Sequence, residues 1–420
     1  MKAWIDAAAA RDDIRVFGLS LTERHLRAFA LLRPRPTEIC IDLGESADRP
    51  PVPARLARSL PLRWMQSSGT TGERLRRYLD DAGNEPVLAV AGDALVDPRL
   101  YGFMAQREGS WVARAGAGAE RAAMLRLEPR DREAVAGDAR SLAEAAEAAL
   151  RGTGVREVAP EDFPAFIPML RRSLPFYLFT IADQAARAAC ERFLFRSNYK
   201  GSTDLLTEYL YPPLVWRLVQ PLARARVHPN LVTLLGVAFA FAAVPLFAAG
   251  QFAAGLILAY AMSVLDSVDG KLARLTFTDS RLGTVLDHGL DIVHPPLWYL
   301  AWAWGLSGGD AGSTVFAAAV GMTVLYILDR LCLMIYRARF KRGLHTHAAI
   351  DAFIRRFISR RNINLALFTV GYVVGLGVEA FYVIVLWQAA TLAYHAGRTA
   401  WILGVERAAP GRPVAGPAGR

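Results

Sequence analysis

The chain has 420 residues, a formal charge of +10, 53% hydrophobic and 21% charged residues, and a mean hydropathy of +0.22. That is enough for two or three domains, with apolar and charged material segregated into a membrane part and a soluble part. The excess of Arg and Lys reads as anchoring at an anionic lipid face, with no nucleic acid partner, and Cys40, Cys190 and Cys332, scattered and odd in number with no CxxC, indicate neither a zinc site nor a disulfide framework.

The amino terminus, MKAWIDAAAARDD, has no long apolar core and is not a secretory signal, so the soluble part is expected in the cytoplasm. Residues 1–165 alternate the short apolar runs IRVFGL, EICIDLG and PVLAVAG with the helical patterns ERHLRAFALL and TGERLRRYLDDAG. This is the rhythm of an open α/β sheet. Residues 138–195 are rich in Ala and Arg and predict helix, with 166–202 as a helical linker to the membrane part. A turn over 198–204 follows, in which Lys200 either reaches an anionic head group or snorkels at the surface. Residues 203–227, apolar, aromatic and basic by turns and broken by Pro212, Pro213 and Pro221, predict an interfacial helix.

From Leu231 onward, six apolar stretches approach the length of a membrane span: 231–249, 252–274, 284–306, 313–337, 362–378 and 380–397. The loops near 250, 307–312 and 378 lack Lys and Arg, whereas 337–361 carries eight arginines and lysines, among them Arg337, Arg342, Arg355 and Arg360. The positive-inside rule then puts both termini in the cytoplasm. Residues 401–420 are expected to form a disordered tail. His294 and His288 are assigned to packing, and His345 and His347 to the surface.

Within these apolar stretches lie four acids, Asp266, Asp269, Asp287 and Asp291. Ionisable groups at membrane depth mark function by default. Asp266, Asp269, Gly270 and Ala273 fall on one helix face, and Gly283, Asp287 and Asp291 are spaced four apart on a second. Four carboxylates so placed repel one another, and their natural partner is one or two divalent cations. Gly270, Ala273 and Gly283 leave room for a phosphate-bearing ligand, and Arg274 offers a planar cation for phosphate oxygens.

The pattern Asp266-x2-Asp269-Gly270-x2-Ala273-Arg274-x8-Gly283-x3-Asp287-x3-Asp291 resembles the signature of the CDP-alcohol phosphotransferases, membrane enzymes of phospholipid synthesis, with every fixed position present. The upstream stretch 228–233 (HPNLVT) is similar to the one that opens that family's first span. The resemblance covers 195–400. It implies two ions, Mg²⁺ or Mn²⁺, on Asp266, Asp269, Asp287 and Asp291, with Asp291 also the general base. It implies CDP contacts from Gly270, Ala273, Arg274 and Gly283, with Asn230 and Thr233 nearby, helix capping being the alternative for the last two. Arg360, Arg361, Arg330 and Lys200 are candidates for the acceptor; for Arg330 a structural pair with Asp329 is the rival, and for Arg360 and Arg361 ordinary positive-inside anchoring is. A homodimer in the cytoplasmic (inner) membrane is implied as well.

In the first domain, residues 66–73 (QSSGTTGE) before a helix and 86–93 (PVLAVAGD) closing a strand resemble the middle of a sugar-nucleotidyltransferase domain. The glycine-rich loop that cradles phosphates in that family is missing, residues 18–24 offering Gly18 alone. The domain is therefore expected to be a degenerate, non-catalytic relative. The fold expected is thus a soluble α/β domain followed by an α-helical membrane bundle of six spans. The activity expected is transfer from a CDP-alcohol, CDP-diacylglycerol or a CDP-polyol, to the hydroxyl of a polyol, polyol phosphate or lipid, releasing CMP. A bifunctional enzyme that also makes its own CDP-alcohol, such as CDP-inositol, and an ion or proton-coupled transporter are the alternatives carried forward.

Overall fold

The computed structural model describes residues 1–11, 13–115 and 122–408, with the side chains of 115, 281, 282, 284–288, 290, 291 and 406–408 outside the description. The chain divides into two compact units.

The amino-terminal unit is built on a seven-stranded sheet. Its strands are β1 (Lys2–Asp6), β2 (Ile39–Asp42), β3 (Leu62–Met65), β4 (Val87–Ala91), β5 (Ser110–Ala115), β6 (Ala122–Leu127) and β7 (Val155–Glu157), ordered β7-β5-β6-β4-β1-β2-β3. β1 pairs in parallel with β2 and β4, and β6 runs antiparallel to β4 and β5. Helices α1 (Leu21–Leu31), α2 (Thr71–Asp81) and α3 (Leu142–Arg151) cover the faces. Trp4, Ile41, Val87 and Leu88 are completely buried, as strands covered on both sides require.

The first strand is KAWID, at residues 2–6. The run IRVFGL, expected to supply it, instead makes a two-stranded ribbon in which Arg15 and Val16 pair with Ser20 and Leu19. The segment after β1 is therefore the 3₁₀ turn Ala7–Ala9, without glycine. Residues 66–73 end in a capping box, Thr70 Oγ1 accepting from Glu73 N at 3.1 Å and Glu73 Oε2 from Thr70 N at 3.1 Å. The first N–H groups of α2 are thus partly satisfied by the helix's own cap. Residues 138–202 depart from the helix expected there. They hold α3, β7, short strands at Phe166–Ile167, Arg172–Ser173 and Leu178–Thr180, and one helix of the linker, α4 (Gln184–Ser197).

The second unit is helical. A π-helical turn at Leu206–Leu210 leads into α5 (Tyr211–Arg224), whose Tyr211, Val215, Val219 and Ala223 are buried while Leu214 and Leu218 stay exposed. Apolar side chains thus stand on both the buried and the exposed side of this helix. Then come α6 (Pro229–Ala248), α7 (Phe252–Thr276), α8 (Arg281–Leu306), α9 (Thr314–Phe340), α10 (Arg361–Val373) and α11 (Gly377–Ala408). Helices stand over all six expected segments, but among the described residues four are long and apolar enough to cross a membrane: α6, α7, α9 and α11. α10, with 13 residues, rises about 20 Å, short of a hydrocarbon core of about 30 Å. Residues 401–408, expected to belong to a disordered tail, continue α11; residues 409–420 lie outside the described residues. The unit is centred on Phe247, Trp298, Trp302, Phe368 and Phe381, with Trp302 stacked on Phe368 at 4.3 Å.

Candidate active site

α6 begins with Pro229 at its first position, and its cap is His228, whose Nδ1 accepts from Asn230 N at 3.2 Å. Capping is thus done by a residue other than Asn230 and Thr233, whose side chains turn to the two signature helices. Thr233 donates from Oγ1 to Asp269 Oδ2 at 2.6 Å on α7, and both residues are buried. Asn230 Oδ1 accepts from Ser280 Oγ at 3.1 Å at the start of α8. Ser280 in turn caps α8 by accepting from Gly283 N at 3.0 Å. A Cβ at position 283 would come within 2.9 Å of Asn230 Oδ1 and 3.1 Å of Ser280 Oγ, so the glycine leaves room for the hydrogen bond between those two side chains.

On α7, Asp269 Oδ1 also accepts from Gly270 N at 2.5 Å. Asp266, one turn earlier and half-buried, receives Arg361 Nη2 of α10 at 2.7 Å. The two carboxylates are near enough for their charges to act on each other and on Arg274. Arg274 lies along Gly270, its Nη1 3.3 Å from where a Cβ would stand, so the glycine opens the face that the guanidinium covers. Ala273, partly buried, shares that helical turn. Asp287 and Asp291 ride on α8, their side chains outside the described residues. Among the described residues no group of three or more His, Cys, Asp or Glu suited to a metal is found; Asp266 and Asp269 are two oxygen donors on one face.

The acceptor candidates are paired. Arg361 holds Asp266, Arg360 stands 3.6 Å from Asp204, and Arg330 holds Asp329 at 2.7 Å. Asp329 also meets His395 Nδ1 at 2.5 Å, both side chains being fully buried. Lys200 is exposed, within the fields of Arg274, Arg171, Asp266 and Arg360. Sequence reasoning missed Asp204. Its carboxylate accepts from Thr207 N at 3.0 Å and from Asn362 Nδ2 at 3.2 Å. Burial pushes that carboxyl up, but Arg360 and these hydrogen bonds prevail and hold it below the usual carboxylate range. Arg171 and Arg355 lie nearby and are pulled below the usual arginine range, by burial first and by Arg360 second. His345 and His347, expected at the surface, are buried, and His347 Nδ1 meets the Tyr336 hydroxyl at 2.6 Å. His294 is buried edge-on to Trp298.

The amino-terminal unit has a polar centre of its own. Asp6 and Asp42, paired in register, end β1 and β2, at the carboxyl edge where open α/β sheets place ligands. Arg74 of α2 fills the space between them, Nη2 2.7 Å from Asp6 Oδ1 and Nη1 3.0 Å from Asp42 Oδ2, and all three are buried. Thr71 Oγ1 donates to Asp6 Oδ2 at 3.1 Å. Gly72 and Gly92 have packing reasons, since a Cβ would strike Ala136 O and Asp6 O respectively.

Comparison with known proteins bears on the helical unit. Residues 226–395 match the family model for CDP-alcohol phosphatidyltransferase. These residues form a CDP-alcohol phosphatidyltransferase domain. It includes every signature position from Asn230 to Asp291. A phosphatidylinositol phosphate synthase of Streptomyces avermitilis is 36% identical over 115 residues, 26% of this chain and 47% of the relative. One of Mycobacteroides abscessus is 31% identical over 135 residues, 30% of this chain and 61% of the relative. An uncharacterized class-I family protein of Schizosaccharomyces pombe is 31% identical over 115 residues, 23% of this chain and 29% of the relative. The chain thus spans less than two thirds of the length of each of these relatives. Among solved structures, Mycobacterium tuberculosis phosphatidylinositol phosphate synthase with CDP-DAG bound aligns at 18% identity and a TM-score of 0.37, over 45% of this chain and 93% of that one. A UDP-glucose pyrophosphorylase complexed with UDP-glucose aligns at 9% identity and a TM-score of 0.31, over 47% of this chain and 99% of that one.

Proposed function

We propose that the chain transfers a substituted phosphate group from a CDP-alcohol to an acceptor hydroxyl, releasing CMP, in phospholipid synthesis. The observation that carries this reading is the eight-position signature across α7 and α8, inside the matched domain. The pairing of Thr233 with Asp269 and of Arg361 with Asp266 adds support, because it gathers α6, α7 and α10 around the same carboxylates.

The donor set fits hard divalent ions. Asp266 and Asp269 offer oxygen only, on one face, and lie close enough for their charges to act on each other. Asp266, Asp269, Asp287 and Asp291 would hold two such ions, Mg²⁺ or Mn²⁺, whose charge would offset that developing on departing CMP. Thr233 orients the Asp269 carboxylate from behind. Gly270, Ala273 and Arg274 line the diphosphate, Gly270 by giving backbone access and Arg274 by charge. Asn230 and Gly283 set the spacing between α6 and α8 beside it. Asp291 takes the proton from the acceptor hydroxyl as its oxygen bonds to the phosphorus nearest the alcohol, and the bond from that phosphorus to the CMP oxygen breaks. Arg330, Arg360, Arg361 and Lys200 receive the acceptor.

In this reading α6, α7, α9 and α11 span the cytoplasmic membrane, α8 and the shorter α10 complete a six-helix bundle with them, both termini lie inside, and the chain is a homodimer. In the same reading the amino-terminal domain makes no CDP-alcohol: it lacks a glycine-rich loop after its first strand, and Arg74 fills the space between Asp6 and Asp42. Purified protein offered a panel of CDP-alcohols, including CDP-diacylglycerol and CDP-inositol, tests the proposal. CMP release from at least one donor is expected; no release from any of them, with movement of ions across vesicles instead, would replace it with a transport function.

A further inference from the structure

The carboxyl end of α7 is held by two arginines of α1. Arg24, buried, donates from Nη1 to the carbonyl of Leu275 at 3.0 Å and of Val16 at 3.3 Å. Arg27 donates from Nη1 to the carbonyl of Thr276 at 2.9 Å, while its Nη2 lies 2.7 Å from Oε1 of the buried Glu23. Phe277, at φ +55°, ends the helix with its ring centroid 5.0 Å from the Arg24 guanidinium. Leu275–Phe277 belong to the amino-terminal unit, and Phe277 packs against its core.

The last carbonyls of a helix have no donors within the helix and carry the negative end of its dipole. Two guanidinium groups supply the donors here. A buried arginine is costly unless its charge is answered, and the acceptors of Arg24 are carbonyls, one at that negative end. Arg274, the last residue of the phosphotransferase signature on α7, directly precedes Leu275. Asp269, Gly270 and Ala273 lie within two turns of the anchored carbonyls, so a shift of the helix end moves them, and displacements near 1 Å are enough to change catalysis about 10²-fold.

We infer that Arg24 and Arg27 are positioning residues for the phosphotransfer site. They fix the carboxyl end of α7 through the carbonyls of Leu275 and Thr276, and with it the helical turn that carries Arg274 and Ala273. The inference rests on the function proposed above, and the experiment separates the two.

Full-length protein carrying Arg24→Met and Arg27→Gln, singly and together, is compared with wild type, with Arg24→Lys and Arg27→Lys, and with Arg114→Gln. The last breaks the Arg114–Glu157 pair of the same unit and leaves the anchor intact. Amide exchange of the peptide covering residues 272–280 reads the anchor independently of activity. CMP release with CDP-diacylglycerol as the probe donor reads its consequence. The double variant is expected to exchange faster in that peptide and to raise donor KM about tenfold. The lysine variants should recover part of both changes, and Arg114→Gln should alter neither. Unchanged exchange in the double variant would overturn the anchor. Faster exchange with wild-type KM and kcat would overturn the positioning role. A wild-type protein that releases no CMP from this donor or any other would remove the phosphotransfer reading and the positioning role with it, while the exchange result would still judge the anchor.

Discussion

Thr233→Val replaces a hydroxyl with a methyl of nearly the same shape. Its Oγ1 lies 2.6 Å from Asp269 Oδ2, with both residues under 10% exposed, so no water readily takes the place of the lost donor. A hydrogen bond to a buried charged group is worth about 2 kcal/mol, which corresponds to roughly a 30-fold change in an equilibrium constant. If Asp269 ligates metal, the loss falls on the orientation of a ligand, and the concentration of Mg²⁺ or Mn²⁺ needed for half-maximal CMP release should rise by about that factor. Maximal rate at saturating metal should fall less. Thr233→Ser, which keeps the donor, should restore most of the metal response. The assay is a metal titration of CMP release at fixed donor. A Thr233→Val enzyme with the wild-type titration curve would refute the assignment of Asp269 as a ligand oriented by Thr233.

Asp291→Asn should abolish turnover while sparing most of the donor affinity, whereas Asp287→Asn should weaken metal and donor binding together; wild-type rates in Asp291→Asn at saturating metal would remove it as the base. Arg74→Met leaves Asp6 and Asp42 buried side by side without their shared cation, and should destabilise the amino-terminal unit by about 3–5 kcal/mol in denaturant unfolding. An unchanged transition would mean that those carboxylates are answered by another group. Burial, helped by the charge of Asp6 and opposed by a hydrogen bond from its own backbone N–H, raises the Asp93 carboxyl to about 6 from 3.8. A raised folded-state value means that its contribution to stability is complete below about pH 4 and is lost as pH climbs through about 6. Asp93→Asn should therefore flatten the stability profile of the full chain between pH 4 and 6, a slope that calorimetry at several pH values would reveal as unchanged if the argument fails.

The signature was legible because its physics is local: acids in apolar stretches stand out, and spacings of three and four place them on one helix face. The six helices were legible for a similar reason, since long apolar runs leave few alternatives. Where partners are distant in sequence, local pattern carried no information. Arg361 meets Asp266 across 95 positions and Asn362 meets Asp204 across 158, so Asp204 read as part of a turn, and the arginines of residues 360 and 361 read only as a basic end. β1 escaped notice because KAWID is five residues long and begins and ends in charge; its Trp4 and Ile5 are buried by strands that arrive later in the chain. His345 and His347 sat in a basic loop that looked exposed, and packing against Tyr336 and His395 overrode that appearance. Arg74 is an ordinary surface-type residue in a helical pattern until the ends of β1 and β2 bring two carboxylates to it.

The most direct test of the central claim is a balance sheet of products. Full-length protein in lipid is stripped of divalent ions with chelator, supplied with a CDP-alcohol donor and a hydroxyl acceptor, and then given Mg²⁺ or Mn²⁺, while CMP and the phosphodiester product are counted together. Metal-dependent phosphotransfer at this site requires that neither product forms in chelator, that both appear one for one on adding metal, and that Asp291→Asn forms neither. Transfer that persists undiminished after exhaustive chelation, or CMP released without a matching phosphodiester, would contradict it.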